Sequence, residues 1–341
     1  MHPIEALERV SYLSDRGRLE KRKSEAFLKA AAVLRSLAPE ELEVRIRNGT
    51  ITFLPGIGPS TAAVIQQAAA GKVPDRITAL EHETVVPIRA GQAIRAVLKG
   101  DCHTHSVASD GSGSIRAMAS AARAIGHRYL VVTDHSPRLT VANGLSRDRL
   151  VAQLDEIAGL NDEFAPFRIL TGIEVDILDD GSLDQDDDLL ARLDIVVASV
   201  HSKLTMDAAA MTRRMLTAVR NPHTDILGHC TGRKLDPRPG GPRVVRPQSK
   251  FNAAAVFAAC AEAATAVEIN SRPERQDPPD ELLELAVGAG CLFSIDTDSH
   301  APGQLEFVNY GADKAAAHGI DTDRIITSWP VEKLLDWSHR H

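Results

Sequence analysis

Val97 to Gly111 reads VLKGDCHTHSVASDG, and the order of residues in it recurs down the chain. An apolar run stops, and within a few residues come histidine and acid, here His103, His105 and Asp110. YLVVTD leads in the same way to His135, FRILTG through Ile173 to Glu174, and LDIVVASV to His201. TDILG leads to His229, TAVEI to Asn270, and CLFSI to Asp296, Asp298 and His300. Helix-patterned stretches such as SIRAMASAARAIG, MTRRMLTAVRN and AAAVFAACAEAA lie between these runs. Seven β-like runs alternating with helices predict parallel α/β units. Polar groups after nearly every run predict a barrel, because reactive groups converge on a barrel's C-terminal rim. A doubly wound open sheet is the competing architecture, but it gathers ligands at one switch point.

Composition narrows the setting. Hydrophobic residues make up 43% and charged residues 25% of the 341, as in ordinary soluble proteins. No apolar run reaches membrane-spanning length, and the charged start of the chain does not read as a signal peptide. Cys102, Cys230, Cys260 and Cys291 form no CxxC pair, so a disulfide framework is not expected and a reducing cytoplasm fits. The net charge of −7 is unevenly spread: residues 1–100 hold 15 Lys and Arg against 11 Asp and Glu, the remainder 24 against 35. A basic first part and an acidic body that concentrates histidine predict two jobs, the second of them cation binding.

The first part predicts a small helical domain over residues 1–95, the second a larger domain over 96–341. RLEKRKSEAFLKAAAVLRSL places Phe27, Ala31, Leu34 and Leu37 at helical spacing. FLPGIGPSTAAVIQQAAAGKV then carries a Pro55-Gly56-Ile57-Gly58 turn opening a helix at Pro59 or Ser60, the pattern of a helix-hairpin-helix element. Amide groups at Gly56 and Gly58, with Lys72 and Arg76, form the candidate phosphate contact, and DNA is the expected partner. A plain helix-helix turn is the alternative reading.

In the larger domain, nine donors cluster on one rim: His103, His105, Asp110, His135, Glu174, His201, His229, Asp298 and His300. Imidazole with carboxylate suits zinc, manganese or iron. Catalytic zinc sites use about three protein ligands and leave a place for water or substrate, so nine donors serve three divalent ions. Three clustered ions suit a substrate with several anionic oxygens, a phosphate ester, attacked in line by water that the ions acidify. Glu174 and His201 are the catalytic candidates within this set. Arg233 and Arg275 are candidates for gripping the phosphate, with Lys203 and Lys234 behind them. The acidic run DQDDDLL reads as the start of a helix.

The stretches DCHTHSVASDG, VVTDHS, GIEVDI, SVHSK, ILGHCTGR, VEIN and IDTDSH resemble, in this order, the motifs of the polymerase-and-histidinol-phosphatase (PHP) domain. Their wording is most similar to the PHP domain of bacterial family X DNA polymerases. Residues 1–80 resemble the helix-hairpin-helix domain of the same polymerases, while no palm or fingers segment fits before Asp101. The resemblance implies a distorted (β/α)7 barrel, a trinuclear centre and phosphoesterase activity. It also implies that His103 and His105 share an ion with Asp298, and that Glu174 bridges to a second. How Asp110, His135, His201, His229 and His300 divide is left open. Three functions compete: a DNA 3′-end exonuclease or phosphatase, active also at abasic sites; a small-molecule phosphatase of the histidinol phosphate type; and a non-catalytic DNA-binding accessory.

Overall fold

The computed structural model describes residues 1–236 and 243–339. The chain forms two compact units: Met1–Val86 with Ala301–Gln304, and Pro87–His300 with Leu305–His341.

The first unit is helical: α1 (Pro3–Arg16), α2 (Lys21–Arg35), α3 (Pro39–Arg47), α4 (Pro59–Ala69) and α5 (Asp75–Glu83). Phe27, Ala30, Ala31 and Leu34 recur at helical spacing along α2. That stripe packs on Leu7, Val10 and Leu13 of α1 and Val64 and Ile65 of α4. Between α3 and α4 the chain turns at Gly56, whose φ of +87° suits glycine, and Gly58 caps α4 with Pro59 as its first residue.

The second unit carries, in chain order, α6 (Gln92–Val97), α7 (Ile115–Ala124), β1 (Tyr129–Val132), α8 (Arg147–Phe164), β2 (Arg168–Asp176), α9 (Asp187–Leu190), β3 (Ile195–Ser199) and α10 (Ala208–Val219). Then follow β4 (Ile226–Leu227), β5 (Lys234–Asp236), β6 (Arg243–Arg246), α11 (Ala253–Ala263), β7 (Ala266–Asn270), α12 (Asp280–Gly288), β8 (Phe293–Asp296), α13 (Val308–Ala317) and α14 (Val331–Ser338). Six strands form a parallel sheet in the order β1-β2-β3-β4-β7-β8, while β5 and β6 make a separate antiparallel hairpin. The lower half of β2 pairs with β1 and its upper half, from Gly172, with β3. This offset curls the sheet and lifts Glu174 above the neighbouring strand end.

The first β-like run is not a regular strand, yet it takes the seventh place in the barrel. Val131 N donates to Asp101 O (2.9 Å) and Thr133 N to Thr104 O (2.8 Å), while His105 N donates to Ser299 O (2.8 Å) beyond β8. A single parallel bridge, Thr104 to Ser299, joins the two edges of the sheet. Side chains interrupt the ladder: the amide of Cys102 donates to Asp296 Oδ1 (2.7 Å), that of His103 to Asp101 Oδ1 (3.1 Å), and that of Thr104 to Thr133 Oγ1 (2.9 Å). Lower down, Gly100 meets the ring of Tyr129 so closely that a Cβ there would lie 2.0 Å from a ring carbon. The barrel is therefore a distorted (β/α)7 barrel, preceded in the chain by the helical unit.

Alternation within the staves divides apolar from polar. Tyr129, Val131, Leu170, Ile195, Val197, Ile226 and Ala266 share one buried cluster with Trp329 and Trp337. On β2, β7 and β8 the same face continues upward as Glu174 and Asp176, Glu268 and Asn270, and Asp296. Intervening residues such as Ile173, Val196, Val267 and Ile295 pack with helix residues such as Met211 and Phe257.

Asp15 is the one titratable group of the helical unit with a strongly displaced acidity. Burial pushes its carboxyl up to about 6, although Ser24 Oγ donates to it at 2.6 Å. The folded state thus holds this proton more tightly than the unfolded chain, so its contribution is full below about pH 4 and is lost as pH rises through 6. Asp15→Asn, which keeps an acceptor for Ser24, is expected to gain on the wild type by up to about 2–3 kcal/mol between pH 4 and pH 7.5. Urea unfolding of the two proteins across that range measures it.

Candidate metal centre

Glu174 stands at the middle of the rim, 1% exposed, and its two oxygens face different histidines. Oε2 lies 3.3 Å from His103 Nε2 and 3.6 Å from His105 Nε2. Oε1 lies 2.8 Å from His229 Nε2 and 3.2 Å from His201 Nε2. His105 Nε2 is in turn 3.4 Å from Asp298 Oδ1. A third group sits nearer the surface, where Asp110 Oδ1 is 3.6 Å from His135 Nε2 and Asp110 Oδ2 is 3.4 Å from His300 Nε2. His135 Nδ1 also reaches within 2.9 Å of Glu174 Oε2, linking this group to the central carboxylate. All nine residues singled out as donors in the sequence thus converge, and among the described residues they fall into four overlapping sets of ligand atoms close enough to share ions.

The set fits divalent metal on two observations. Two ligands each about 2.1 Å from an ion at a tetrahedral angle stand about 3.4 Å apart, the separation seen between these donors. In addition, His103 Nε2, both ring nitrogens of His105, His201 Nε2 and Glu174 Oε2 are buried without a hydrogen-bond partner. A buried polar group left unpaired costs about 1–3 kcal/mol, so such a concentration calls for a cation among them.

Electrostatics follow from the same packing. Burial alone would raise Glu174, but His103, His201 and His135 outweigh it and hold the carboxylate well below its ordinary range. Asp298 is likewise raised by burial, yet Arg275, a hydrogen bond from His105, and the nearby His103 and Arg272 hold it well below its ordinary range. Burial, with His300 and His135 nearby, pulls His105 down to about 3, and burial with Arg275 lowers His229. Both shifts favour the neutral ring that a metal ligand needs. At His103 and His201 burial is instead outweighed by Glu174, with Glu268 and Asp176 beside them, which raises His103 and pushes His201 up to about 9.

A surrounding layer of residues that the sequence reading did not single out fixes the rings. His103 Nδ1 is 2.6 Å from Glu268 Oε1, and Asp176 holds His201 through Nδ1. Such carboxylates set the tautomer and raise the basicity of a ligating imidazole. Arg272 Nη1 donates to Asp298 O (2.6 Å). Asp134 anchors the loop bearing Asp110: Oδ1 accepts from Ser106 N (2.7 Å) and Ser109 Oγ, and Oδ2 from Ser106 Oγ and Gln153 Nε2, both 2.6 Å. A strand-face alternation links Asp176 to Glu174 and Glu268 to Asn270, and that was the available signal.

Two arginines part company. Arg275 Nε donates to Asp298 Oδ2 at 2.8 Å, with its side chain 20% exposed at the site. Arg233, expected to grip phosphate, instead donates from Nε to Arg275 O (2.9 Å) and from Nη2 to Gln276 O. It buttresses the Arg275 loop, because those carbonyls need donors where the chain turns. Lys203 pairs with Asp179 on the surface, and Arg147 pairs with Asp186 and Asp188 of the acidic run that opens α9.

In the helical unit, Gly58 N donates to Thr61 Oγ1 (3.0 Å), so that amide is engaged within the motif. Lys72 follows the far end of α4, about 16 Å of helix away from the hairpin, so the structure does not bring it to Gly56 and Gly58. Lys23 and Arg76 take its place, lining a recess of about 840 Å³ with both glycines.

Against known proteins, residues 101–263 match the PHP domain. Residues 101–263 are a PHP domain. The chain is similar to the DNA polymerase/3′-5′ exonuclease PolX of Bacillus subtilis, 40% identical over 231 residues, which is 68% of this chain and 39% of that protein. It thus spans about two fifths of that relative's length. A probable phosphatase of Syntrophotalea carbinolica is 27% identical over 70% of this chain and 94% of its own. Histidinol phosphate phosphatase of Lactococcus lactis, solved with zinc, L-histidinol and phosphate, aligns at a TM-score of 0.44 with 17% identity over 71% of this chain and 94% of its own. No helix among the described residues is long and apolar enough to cross a membrane.

Removing the anchor of the Asp110 loop tests this geometry of the PHP domain. Asp134→Ala is expected to weaken zinc binding at the set of Asp110, His135 and His300 by about 10–100-fold while binding at the inner donors is kept, as measured by metal content after dialysis against limiting zinc. Equal loss of all metal would show that the loop does not form a separate position.

Proposed function

We propose that this protein hydrolyses phosphate esters at the 3′ ends of DNA, as an exonuclease or 3′-phosphatase that also processes abasic sites, with three divalent ions in the PHP barrel. The chain is a phosphoesterase hydrolase with a PHP domain and a His/Asp/Glu cluster that fits divalent metal. The observation that carries the reading is the split of Glu174, whose two oxygens serve two groups of imidazoles. His103, His105, Glu174 Oε2 and Asp298 would hold one ion, Glu174 Oε1 with His201 and His229 a second, and Asp110, His135 and His300 the third. Zinc, manganese and iron all suit this donor set.

Ions bound there supply Lewis acidity and positive charge against the phosphoryl oxygens. The protein's own part is orientation. Glu268 and Asp176 hold His103 and His201 by their Nδ1 atoms. Arg275, steadied by Asp298 and by Arg233 behind it, presents a guanidinium fork to phosphate. The ester enters from the side of Asp110 and His300, the most exposed of the nine, with side chains 34% and 21% exposed.

DNA is favoured as substrate by the helical unit, whose hairpin recess joins a helix N-terminus to Lys23 and Arg76, and by the similarity to PolX. The runner-up is a small phosphomonoester, which the similarity to probable phosphatases supports.

Metal-replete protein is expected to carry close to three ions by elemental analysis, and Glu174→Gln to lose at least one of them together with hydrolysis. No more than one ion in the wild type would end the trinuclear assignment. Turnover should be compared on 3′-recessed duplex, 3′-phosphate DNA and histidinol phosphate. DNA is expected to be the better substrate, and exclusive turnover of the monoester would give the runner-up the lead. Lys23→Ala with Arg76→Ala is expected to lower the salt slope of duplex binding by up to about 1.8, from 0.9 per phosphate contact.

A further inference from the structure

One charged side chain stands where the helix pattern asks for an apolar one. Met211, Arg214, Met215 and Ala218 recur at helical spacing on the buried face of α10, and Arg214 is 1% exposed. Among the described residues none of its hydrogen bonds goes to a carboxylate. Nε donates to Ile177 O (3.1 Å) and Leu178 O (2.8 Å), and Nη1 to Ser202 O (2.9 Å). Nη2 donates to Ile177 O and to Ser202 Oγ (3.3 Å). A charge is a costly way to fill space in a core, so packing alone gives no reason for a guanidinium here.

The acceptors define what this side chain joins. Ile177 and Leu178 follow Asp176 at the end of β2, and Ser202 follows His201, just beyond β3. Asp176 Oδ1 and His201 Nδ1 are themselves hydrogen-bonded, and His201 Nε2 lies 3.2 Å from Glu174 Oε1. Arg214 therefore holds the main chain immediately beyond both partners of the bond that orients His201. Both segments turn sharply: Lys203, next after Ser202, has a φ of +50°, and Gly181, in the loop after β2, has one of +91°. The first is a left-handed conformation that a lysine seldom takes without support. At Gly181 a Cβ would lie 2.6 Å from Arg214 O and 2.4 Å from Thr217 Cβ, so this loop rests on α10. Arginine suits the task, since its planar fork presents five N–H donors in fixed directions to several oxygens at once.

We infer that Arg214 is a positioning residue for His201, a strut on α10 that sets the ring of one metal-binding histidine. It makes no hydrogen bond to any of the nine donors and acts only through the two segments it ties together. Its effect on metal rests on the assignment of Glu174 Oε1, His201 and His229 to one ion, whereas its effect on the ring stands without that assignment.

The test uses the full-length, zinc-loaded protein and reads the ring first. The Nδ1–H proton that His201 shares with Asp176 gives a downfield proton resonance, identified by its absence in His201→Asn. In Arg214→Met this resonance is expected to be lost to exchange with water. Zinc is read next, by metal content after dialysis against a series of limiting zinc concentrations. One ion is expected to bind about 10–100-fold more weakly in Arg214→Met, the usual effect of removing support from a ligating histidine. With His201→Asn already present, Arg214→Met is expected to add nothing to the loss, because it acts through that ring. An unchanged resonance in Arg214→Met overturns the strut. So does a double variant whose losses add, or equal weakening of every ion. Loss of the resonance with zinc binding unchanged keeps the strut and removes His201 from the ion assigned to it. Should Arg214→Met fail to fold, Arg214→Lys, which keeps the charge but not the fork, is read by the same measurements and is expected to show both effects.

Discussion

A carboxylate buried among five imidazoles is the constraint on which the upper barrel depends. Burial alone would raise Glu174, and it is His103, His201 and His135 around it that hold the carboxylate well below its ordinary range. Each of those neighbours then needs its own support, since a buried ring nitrogen must be oriented as well as paired. Glu268 serves His103, Asp176 serves His201, and Arg275 balances Asp298. Even the offset pairing of β2, half with β1 and half with β3, belongs to this requirement, because it raises Glu174 to the level where loops from other strands arrive.

The burial of the rim is graded. His103, His105 and His229 are at most 1% exposed, whereas Asp110 and His300 meet solvent. The inner donors stand on the first stave or at the ends of β2 and β4, and their neighbours on adjoining staves hold them. Asp110 stands on a loop, and its placement is delegated to Asp134, which gathers two serines and Gln153. Rigidity below and adjustability above suit a site that must admit a large ester without disturbing its deepest charges.

Much of this was legible in the sequence because strand ends repeat. The alternation of apolar runs with helix-patterned stretches predicted seven staves, and the residues after them predicted the donors. What escaped were residues whose role depends on a partner far away. Glu268 reads as one more acid in a strand until His103, 165 positions earlier, is seen against it. Arg233, beside His229 in GHCTGR, reads as a free fork, yet its partners are carbonyls over 40 residues on. Lys72 is close to the hairpin in sequence and distant in space, because a whole helix intervenes. The first stave reads as a strand, but side chains from Asp296, Asp101 and Thr133 capture its amides, a competition that no local pattern announces.

That first stave has a consequence for the order of assembly. Its amide at Cys102 finds its acceptor 194 residues later, and the bridge from Thr104 to Ser299 is of similar span. Closing so long a loop costs only modestly more than closing a short one, because the entropy grows with the logarithm of length, but it cannot begin until both ends exist. During synthesis, His103 and His105 therefore emerge long before Asp298 and His300. Through that interval the early histidines are imidazole ligands without their later partners, open to any transition metal that imidazole binds. The nascent chain would pass this stage safely by leaving its deepest ligands on the one stave that is not a stable strand without its last neighbour.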